Sequence, residues 1–202
     1  RCETTIEPIL SKQWFLKMNQ LAELAIKAVK SGKVKFHPKR WEKTYFEWLK
    51  NVRDWTISRQ IWWGHRLPVW FHEPKCVPRI GHEGEIVKCK DFIVSDKKPE
   101  CKYCDAGFVQ SEEVLDTWFS SALWPFAVFG WPKQTKDLKT FYPASVLSTA
   151  REIINLWVAR MIFSGLEFTK KEPFKDVIIH ATILTKEGKR MSKSLGTGID
   201  PL

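Results

Sequence analysis

Residues 177–184 read Val-Ile-Ile-His-Ala-Thr-Ile-Leu, an almost continuous apolar run. Such a run is typical of a strand buried in a parallel sheet, where helices cover both faces. Upstream, residues 145–147 predict a second strand, and residues 152–168 predict a long, mostly apolar helix. Strand, helix and strand in succession indicate a βαβ unit. We therefore expect an α/β fold built on a doubly wound parallel sheet.

Shorter elements are predicted ahead of this unit. Residues 13–17 and 34–36 predict short strands. Apolar residues over 21–29 recur with helical spacing, and Gly32 stands where such a helix would end. Residues 40–52 predict a second helix with an aromatic face. These elements extend the pattern of strands and helices toward the start of the chain.

The bulk composition indicates a folded, basic protein of the cytoplasm. The chain has 202 residues, of which 44% are hydrophobic, so we expect a sizeable core. Its formal net charge of +10 favours a polyanionic partner such as nucleic acid, although basic proteins without such a partner also exist. No stretch resembles a signal peptide, and no apolar run approaches the ~18 residues of a membrane span. Five cysteines, an odd number, fit a reducing cytosol better than a fully disulfide-bonded secreted scaffold.

Residues 189–196 read Lys-Arg-Met-Ser-Lys-Ser-Leu-Gly and come shortly after the predicted strand. Two lysines and an arginine between glycines make a mobile cationic loop that can wrap a triphosphate. The alternative is a solvated basic turn. The string closely resembles the Lys-Met-Ser-Lys-Ser signature of the class I aminoacyl-tRNA synthetases.

This resemblance implies the second half of a Rossmann-like catalytic domain with an ATP site, and magnesium would accompany the ATP. Lys193 would stabilise the transition state of amino-acid adenylation. Arg190 would keep the charge of the first signature position. The other loop residues implied to contact ATP are Met191, Ser192 and Ser194.

Two further strings resemble the valine-specific branch of this family. Residues 58–68 read Ser-Arg-Gln-Ile-Trp-Trp-Gly-His-Arg-Leu-Pro, where isoleucine- and leucine-specific members usually have Trp-Gly-Thr-Pro. Residues 114–125 include Asp-Thr-Trp-Phe-Ser-Ser, where isoleucine-specific members more often have Asp-Val-Trp-Phe-Asp-Ser-Gly. In this branch two tryptophans and a β-branched residue form the pocket for the amino-acid side chain. Carried over by position, these residues are Trp63, Trp118 and Val114, and the alternative is an ordinary aromatic core.

The stretch before the long helix departs from the family pattern. The family usually has Thr-Gly-x-Asp here, whereas this chain has Thr-Ala-Arg-Glu at residues 149–152. Glu152 would bond the ribose of ATP, or it would only favour the helix dipole. His180 matches a position near the adenine in relatives, although a histidine in an apolar run is also typical of a packed core residue.

Four of the five cysteines fall within residues 72–110, a stretch that predicts an inserted loop or small module. A tetrahedral zinc site with three sulfurs and one nitrogen is predicted from His72, Cys76, Cys101 and Cys104. Cys89 and His82 compete for places in this set. The alternative is free cysteines in a reducing compartment.

The resemblance divides the chain into three parts: residues 1–70 after an editing domain, the insertion 71–110, and residues 111–202 in the catalytic fold. The family's His-Ile-Gly-His-type motif is missing, so we expect a piece of a longer synthetase. That synthetase would activate valine with ATP and transfer it to tRNA(Val), and the piece alone would be inactive without the remaining parts. The rival interpretations are an isoleucine-specific relative, a zinc-stapled RNA-binding module without catalysis, and a subunit that needs its other half in trans.

Overall fold

The computed structural model describes residues 4–73, 91–101, 107–192 and 196–199. Contacts divide the chain into two compact units. Unit 1 comprises the described residues of Arg1–Lys17 and Asp54–Ser120, and unit 2 comprises those of Met18–Arg53 and Ser121–Leu202. Because each unit is assembled from two separate stretches, its core is made by residues that are distant in sequence.

The described residues form ten strands and six α-helices. The strands are β1 Phe15–Leu16, β2 Lys35–His37, β3 Trp55–Thr56, β4 Ser58–Arg59, β5 Val69–His72, β6 Phe92–Val94, β7 Phe108–Gln110, β8 Val114–Leu115, β9 Ala144–Ala150 and β10 Phe174–His180. The helices are α1 Asn19–Lys30, α2 Trp41–Lys50, α3 Thr117–Ala122, α4 Trp124–Ala127, α5 Lys136–Phe141 and α6 Ala159–Thr169. Within the described ranges, none of the helices combines the length and the apolar character needed to cross a membrane.

Unit 2 contains the predicted parallel sheet. Its strand order is β2-β10-β9, and β10 runs parallel to both neighbours. The succession of β9, α6 and β10 confirms the predicted βαβ unit. The strand predicted over 177–184 is corrected at both ends, because β10 begins at Phe174 and ends at His180. Its side chains alternate, with Val177 and Ile179 buried and Ile178 42% exposed. One face of the strand is therefore buried and the other is partly exposed, whereas the apolar run predicted that both faces would be buried.

The helices α1, α2 and α6 each contribute buried side chains to the core of unit 2. α1 buries a stripe of small residues, and Gly32 with a φ of 74° follows its end as predicted. The Tyr45 ring of α2 is buried 5.1 Å from the ring of Phe36, and its hydroxyl donates to the Ala25 carbonyl at 3.0 Å. Burying this hydroxyl costs little because its hydrogen bond is made inside the core.

The helix predicted over 152–168 is only partly α-helical. A 3₁₀ turn, Arg151–Ile153, and a π-helical turn, Ile154–Val158, precede α6. Ile153 and Ile154 lie where the 3₁₀ turn ends and the π turn begins, and β-branched residues slightly lower α-helix propensity. The π turn also places the Trp157 indole N–H 3.1 Å from the Ser121 carbonyl. Local side-chain packing therefore overrides the helical pattern at this end.

Unit 1 contains a three-stranded antiparallel sheet that sequence patterns did not identify. Its order is β6-β5-β7, and Phe71 lies opposite Phe92 on one side and Val109 on the other. Two short antiparallel pairs, β1 with β3 and β4 with β8, complete the described strands of the unit. The cysteines and turn formers of 72–110 predicted a loop or small module, whereas aromatic cross-strand pairs stabilise a sheet here.

Replacing Gly165 by alanine should destabilise unit 2 although it improves helix propensity. A Cβ at Gly165 would lie 2.9 Å from the Tyr142 hydroxyl oxygen and 3.2 Å from the Lys171 carbonyl oxygen. That hydroxyl is fixed by hydrogen bonds to Thr169 and Lys171. Overpacking costs ~1–3 kcal/mol, which outweighs the ~1 kcal/mol gained by leaving glycine. Urea unfolding should show a lower midpoint for Gly165→Ala, and the exposed Glu167→Ala in the same helix is the control; a higher midpoint for Gly165→Ala would contradict the close contact.

Candidate active site

Two parallel strands of unit 2 end side by side. β9 ends at Ala150 and β10 ends at His180, and these two residues are paired in the ladder. In open α/β sheets, ligands bind outside the carboxyl ends of the strands. His180 and Glu152, the residues predicted to contact a nucleotide, are the last residue of β10 and the second residue after β9. The fold therefore places both at the carboxyl edge of this sheet.

The carboxylate of Glu152 is held by neighbours from two segments. Thr182 Oγ1 donates to Glu152 Oε1 at 3.2 Å, and Arg151 Nε lies 3.7 Å from the same oxygen. A hydrogen bond from its own backbone lowers the pKa of Glu152, and Thr182, Arg151 and Arg190 lower it further. The group is therefore a carboxylate at neutral pH. Sequence patterns missed Thr182, because it falls inside the predicted apolar strand.

The segment that follows β10 is a hairpin, not a continuation of the strand. Leu184 and Arg190 form an antiparallel bridge, and the Thr185 N–H donates to the Lys189 carbonyl at 2.9 Å. The turn reverses the chain within four residues. Arg190 thereby comes close enough to Glu152 for its charge to lower the pKa of that carboxyl group.

The structure describes the signature loop up to Ser192 and again from Gly196. The Ser192 N–H donates to Thr197 Oγ1 at 2.9 Å, and the Thr197 N–H donates to the Ser192 carbonyl at 3.2 Å. These two bonds join the ends of the loop, and Met191 beside them is half-buried. The predicted residues Lys193 and Ser194 lie outside the described residues.

The three residues of the predicted valine pocket lie in unit 1. Val114 is buried in β8, and Arg66 pairs with it in an antiparallel bridge. Gly64 approaches so closely that a Cβ there would lie 2.8 Å from Val114 Cγ2. Trp63 precedes this glycine and is 89% exposed, whereas Trp118 is half-buried in the first turn of α3. The backbone beside Trp63 is therefore packed on Val114, while the Trp63 indole stays on the surface.

A buried ion pair that sequence patterns did not identify lies next to this pocket. Asp116 is 5% exposed, and its Oδ2 accepts from Arg59 Nη2 at 2.6 Å and from Trp55 Nε1 at 2.9 Å. Its Oδ1 accepts from the Trp118 N–H at 3.2 Å, so it also caps the start of α3. The available sequence signal was an aspartate placed directly before a short aromatic helix.

The Ser-Arg-Gln string at residues 58–60 carries part of the family resemblance, and two of its side chains hydrogen-bond to distant segments of unit 1. Ser58 Oγ donates to Gln13 Oε1 at 2.6 Å and accepts from the Trp14 N–H at 2.9 Å. Gln60 Nε2 donates to Glu113 Oε1 at 2.6 Å. The string therefore ties the first stretch of unit 1 to the stretch that carries Val114.

The predicted zinc ligands are described only in part. His72 ends β5, and its Nδ1 lies 2.9 Å from the Glu73 carbonyl oxygen. Cys101 is half-buried, and Cys76 and Cys104 lie outside the described residues. Among the residues that are described, no three histidine, cysteine, aspartate or glutamate side chains form a group that could hold a metal.

Solved structures share the fold of this chain. The methionyl-tRNA synthetase of Mycobacterium tuberculosis bound by methionyl-adenylate matches 94% of this chain and 29% of its own, with a TM-score of 0.60 and 15% identity. The LeuRS of Agrobacterium radiobacter K84, in a ternary complex with tRNA and LeuAMS, matches 74% of this chain and 22% of its own, with a TM-score of 0.55 and 20% identity. These likenesses confirm the predicted α/β architecture.

The chain belongs to the class I tRNA synthetases (I, L, M and V), whose family model matches residues 3–202. Two of its relatives within that class are valine–tRNA ligases. It is 53% identical over 204 residues to the one from Clostridium tetani and 55% identical over 203 residues to the one from Carboxydothermus hydrogenoformans. Both alignments include 100% of this chain and 22% of the relative, so the chain spans only a small part of those proteins. The resemblance to the valine branch is confirmed.

Replacing Asp116 by asparagine should destabilise unit 1. The amide keeps an acceptor for the Trp55 indole but removes the charge that balances the half-buried Arg59. Losing one member of such a pair costs ~2–3 kcal/mol when the other member still has some access to water. Urea unfolding followed by tryptophan fluorescence measures this loss, with the exposed Asp96→Asn of the same unit as the control. Equal midpoints for the two variants would contradict the role of the ion pair.

Replacing Thr182 by valine should raise the pKa of Glu152 toward its ordinary value of 4.5, because a hydrogen bond to the charged form is lost. A lowered carboxyl pKa stabilises the fold above the unfolded pKa, and this contribution disappears as pH falls through the folded pKa. Wild type should therefore exceed Thr182→Val in stability above pH 4.5 and lose that advantage in more acidic solution. Carboxyl NMR titration and unfolding at several pH values test this. Thr182→Ser should behave as wild type, and an unchanged Glu152 pKa in Thr182→Val would refute the contact.

Proposed function

We propose that this chain is part of a valine–tRNA ligase that activates valine with ATP to valyl-adenylate and then transfers it to tRNA(Val). The observation that carries the proposal is the identity of 53–55% to two such ligases over 100% of the chain. The chain would act together with the remaining parts of the same longer polypeptide. Alone it would lack a complete ATP site.

The carboxyl edge of the parallel sheet is the proposed nucleotide site. Glu152 would accept hydrogen bonds from the ribose hydroxyls, and its lowered pKa supports this role because a carboxylate is the better acceptor. His180 would lie near the adenine. Lys193 and Arg190 would neutralise charge on the phosphates, together with Mg²⁺ bound to ATP. Met191, Ser192 and Ser194 would line the same loop.

The proposed valine pocket is formed by Trp63, Trp118 and Val114. Rigid aromatic walls exclude a larger side chain by steric overlap, and a β-branched floor matches the shape of valine. The close contact between Gly64 and Val114 holds the backbone next to Trp63 against β8.

A structural zinc would be held by His72, Cys76, Cys101 and Cys104. The geometry at His72 fits, since a metal-bound histidine usually hydrogen-bonds a carbonyl or carboxylate through its other ring nitrogen. A zinc bound there would staple the sheet of unit 1 to the segment that contains the cysteines.

In the longer polypeptide, Lys193→Ala should lower valine-dependent ATP–pyrophosphate exchange by ~10²–10³-fold, because it removes charge that stabilises the transition state. The exposed Lys186→Ala, in the adjoining turn, is the matched control and should retain activity. The isolated 202-residue chain should not aminoacylate tRNA(Val). Exchange that prefers isoleucine to valine would overturn the proposed function, and turnover by the isolated chain would overturn its dependence on other parts.

A further inference from the structure

His65 and Ser120 form a hydrogen bond to which the proposed function gives no role. His65 Nδ1 lies 3.0 Å from Ser120 Oγ, and the two residues are 55 positions apart in the chain. His65 follows Gly64 in an exposed bend, and Ser120 lies on α3. The bond therefore joins the loop to the helix within unit 1.

Each of the two partners lies two residues after one of the tryptophans of the proposed valine pocket. Trp63 precedes His65 by two residues, and Trp118 precedes Ser120 by two residues. The indole of Trp63 is 89% exposed, so packing within the described residues of unit 1 does little to hold it. The position of the Trp63 indole must therefore be set by the loop that carries it.

Among the described residues, backbone contacts tie that loop to β8 at both of its ends, and β4 makes the contact on the side that precedes Trp63. The His65 carbonyl accepts from the Leu115 N–H at 2.7 Å, and Arg66 pairs with Val114. These contacts tie the loop to β8. The bond between His65 and Ser120 is a side-chain tie from the same loop to α3, the element that carries Trp118.

We propose that the hydrogen bond between His65 and Ser120 sets the spacing of Trp63 and Trp118, and so helps to select valine. The inference rests on the proposed function. His65 and Ser120 are positioning residues, since they act through the two tryptophans and need not touch the amino acid.

The test measures ATP–pyrophosphate exchange by the complete polypeptide, with valine and with isoleucine. His65→Ala and Ser120→Ala should each raise the KM for valine about two- to tenfold, the effect of one hydrogen bond, with little change in the KM for ATP. The preference for valine over isoleucine should fall. The double variant should be no worse than either single variant, because both remove the same interaction.

Conservative variants separate positioning from simple loss of stability. His65→Asn places its side-chain amide where Nδ1 was, and this amide can either donate or accept the bond. It should restore the KM, as should Ser120→Thr, which keeps the hydroxyl. His65→Gln places the amide further out, at the position of Nε2, and should not. Ser31→Ala removes a serine hydroxyl bond at the end of α1 and should leave valine recognition unchanged.

The outcomes are distinguishable. A wild-type protein that fails to activate valine overturns the proposed function itself. If wild type activates valine and both alanine variants keep its KM and its preference over isoleucine, the positioning role is wrong. Additive effects in the double variant also overturn it. If the alanine variants do not fold, His65→Asn and His65→Gln decide, because the proposal requires normal valine recognition only in the asparagine variant.

Discussion

The carboxylate of Asp116 is buried where separate stretches of unit 1 meet, so its charge has to be balanced from within the protein. The Arg59 guanidinium supplies the opposite charge, and the Trp55 indole and the Trp118 backbone supply further donors. Each donor comes from an element that carries or adjoins the proposed valine pocket. A buried carboxylate without these donors would be strongly unfavourable, and therefore the pairing specifies one arrangement of the segments.

Unit 2 is specified in a different way, by the geometry of a parallel sheet. The register between β9 and β10 brings Ala150 and His180 together, and the residues that follow both strands emerge at the same edge. Glu152 and Thr182 meet there across two connections. The hairpin then turns Arg190 back toward them, so the backbone topology itself gathers the groups that would handle a nucleotide.

How far the sequence predicts the structure depends on the range of the interaction. The apolar run from Val177 and the helical pattern before it are local signals, and they predicted the βαβ unit correctly. The end of β10 at His180 was not predictable from hydrophobicity, because the run continues through Ile183 into a hairpin. The antiparallel sheet around Phe71 was also missed, since pairing between distant aromatic residues leaves little trace in one strand.

At the candidate sites, too, local sequence signals were informative and long-range contacts were not predictable. Motif residues such as Trp63, Arg190 and Glu152 could be named because a family resemblance assigns positions. Thr182, which holds Glu152, and Asp116, which holds Arg59 and the Trp118 backbone, could not be named, because their importance lies in contacts that only the folded chain makes.

A large side chain that lines a binding site from an exposed loop is subject to two opposing physical requirements. It must be accessible to a ligand, which removes the packing that would otherwise fix a large indole. Polar ties to a rigid element resolve this conflict, because one hydrogen bond constrains direction while covering almost none of the ring. In unit 1 the β8 ladder fixes the backbone next to Trp63, and the bond between His65 and Ser120 fixes the loop against α3. A small change in the length of that tie would shift the loop that carries the proposed pocket residue Trp63 without disturbing the buried core.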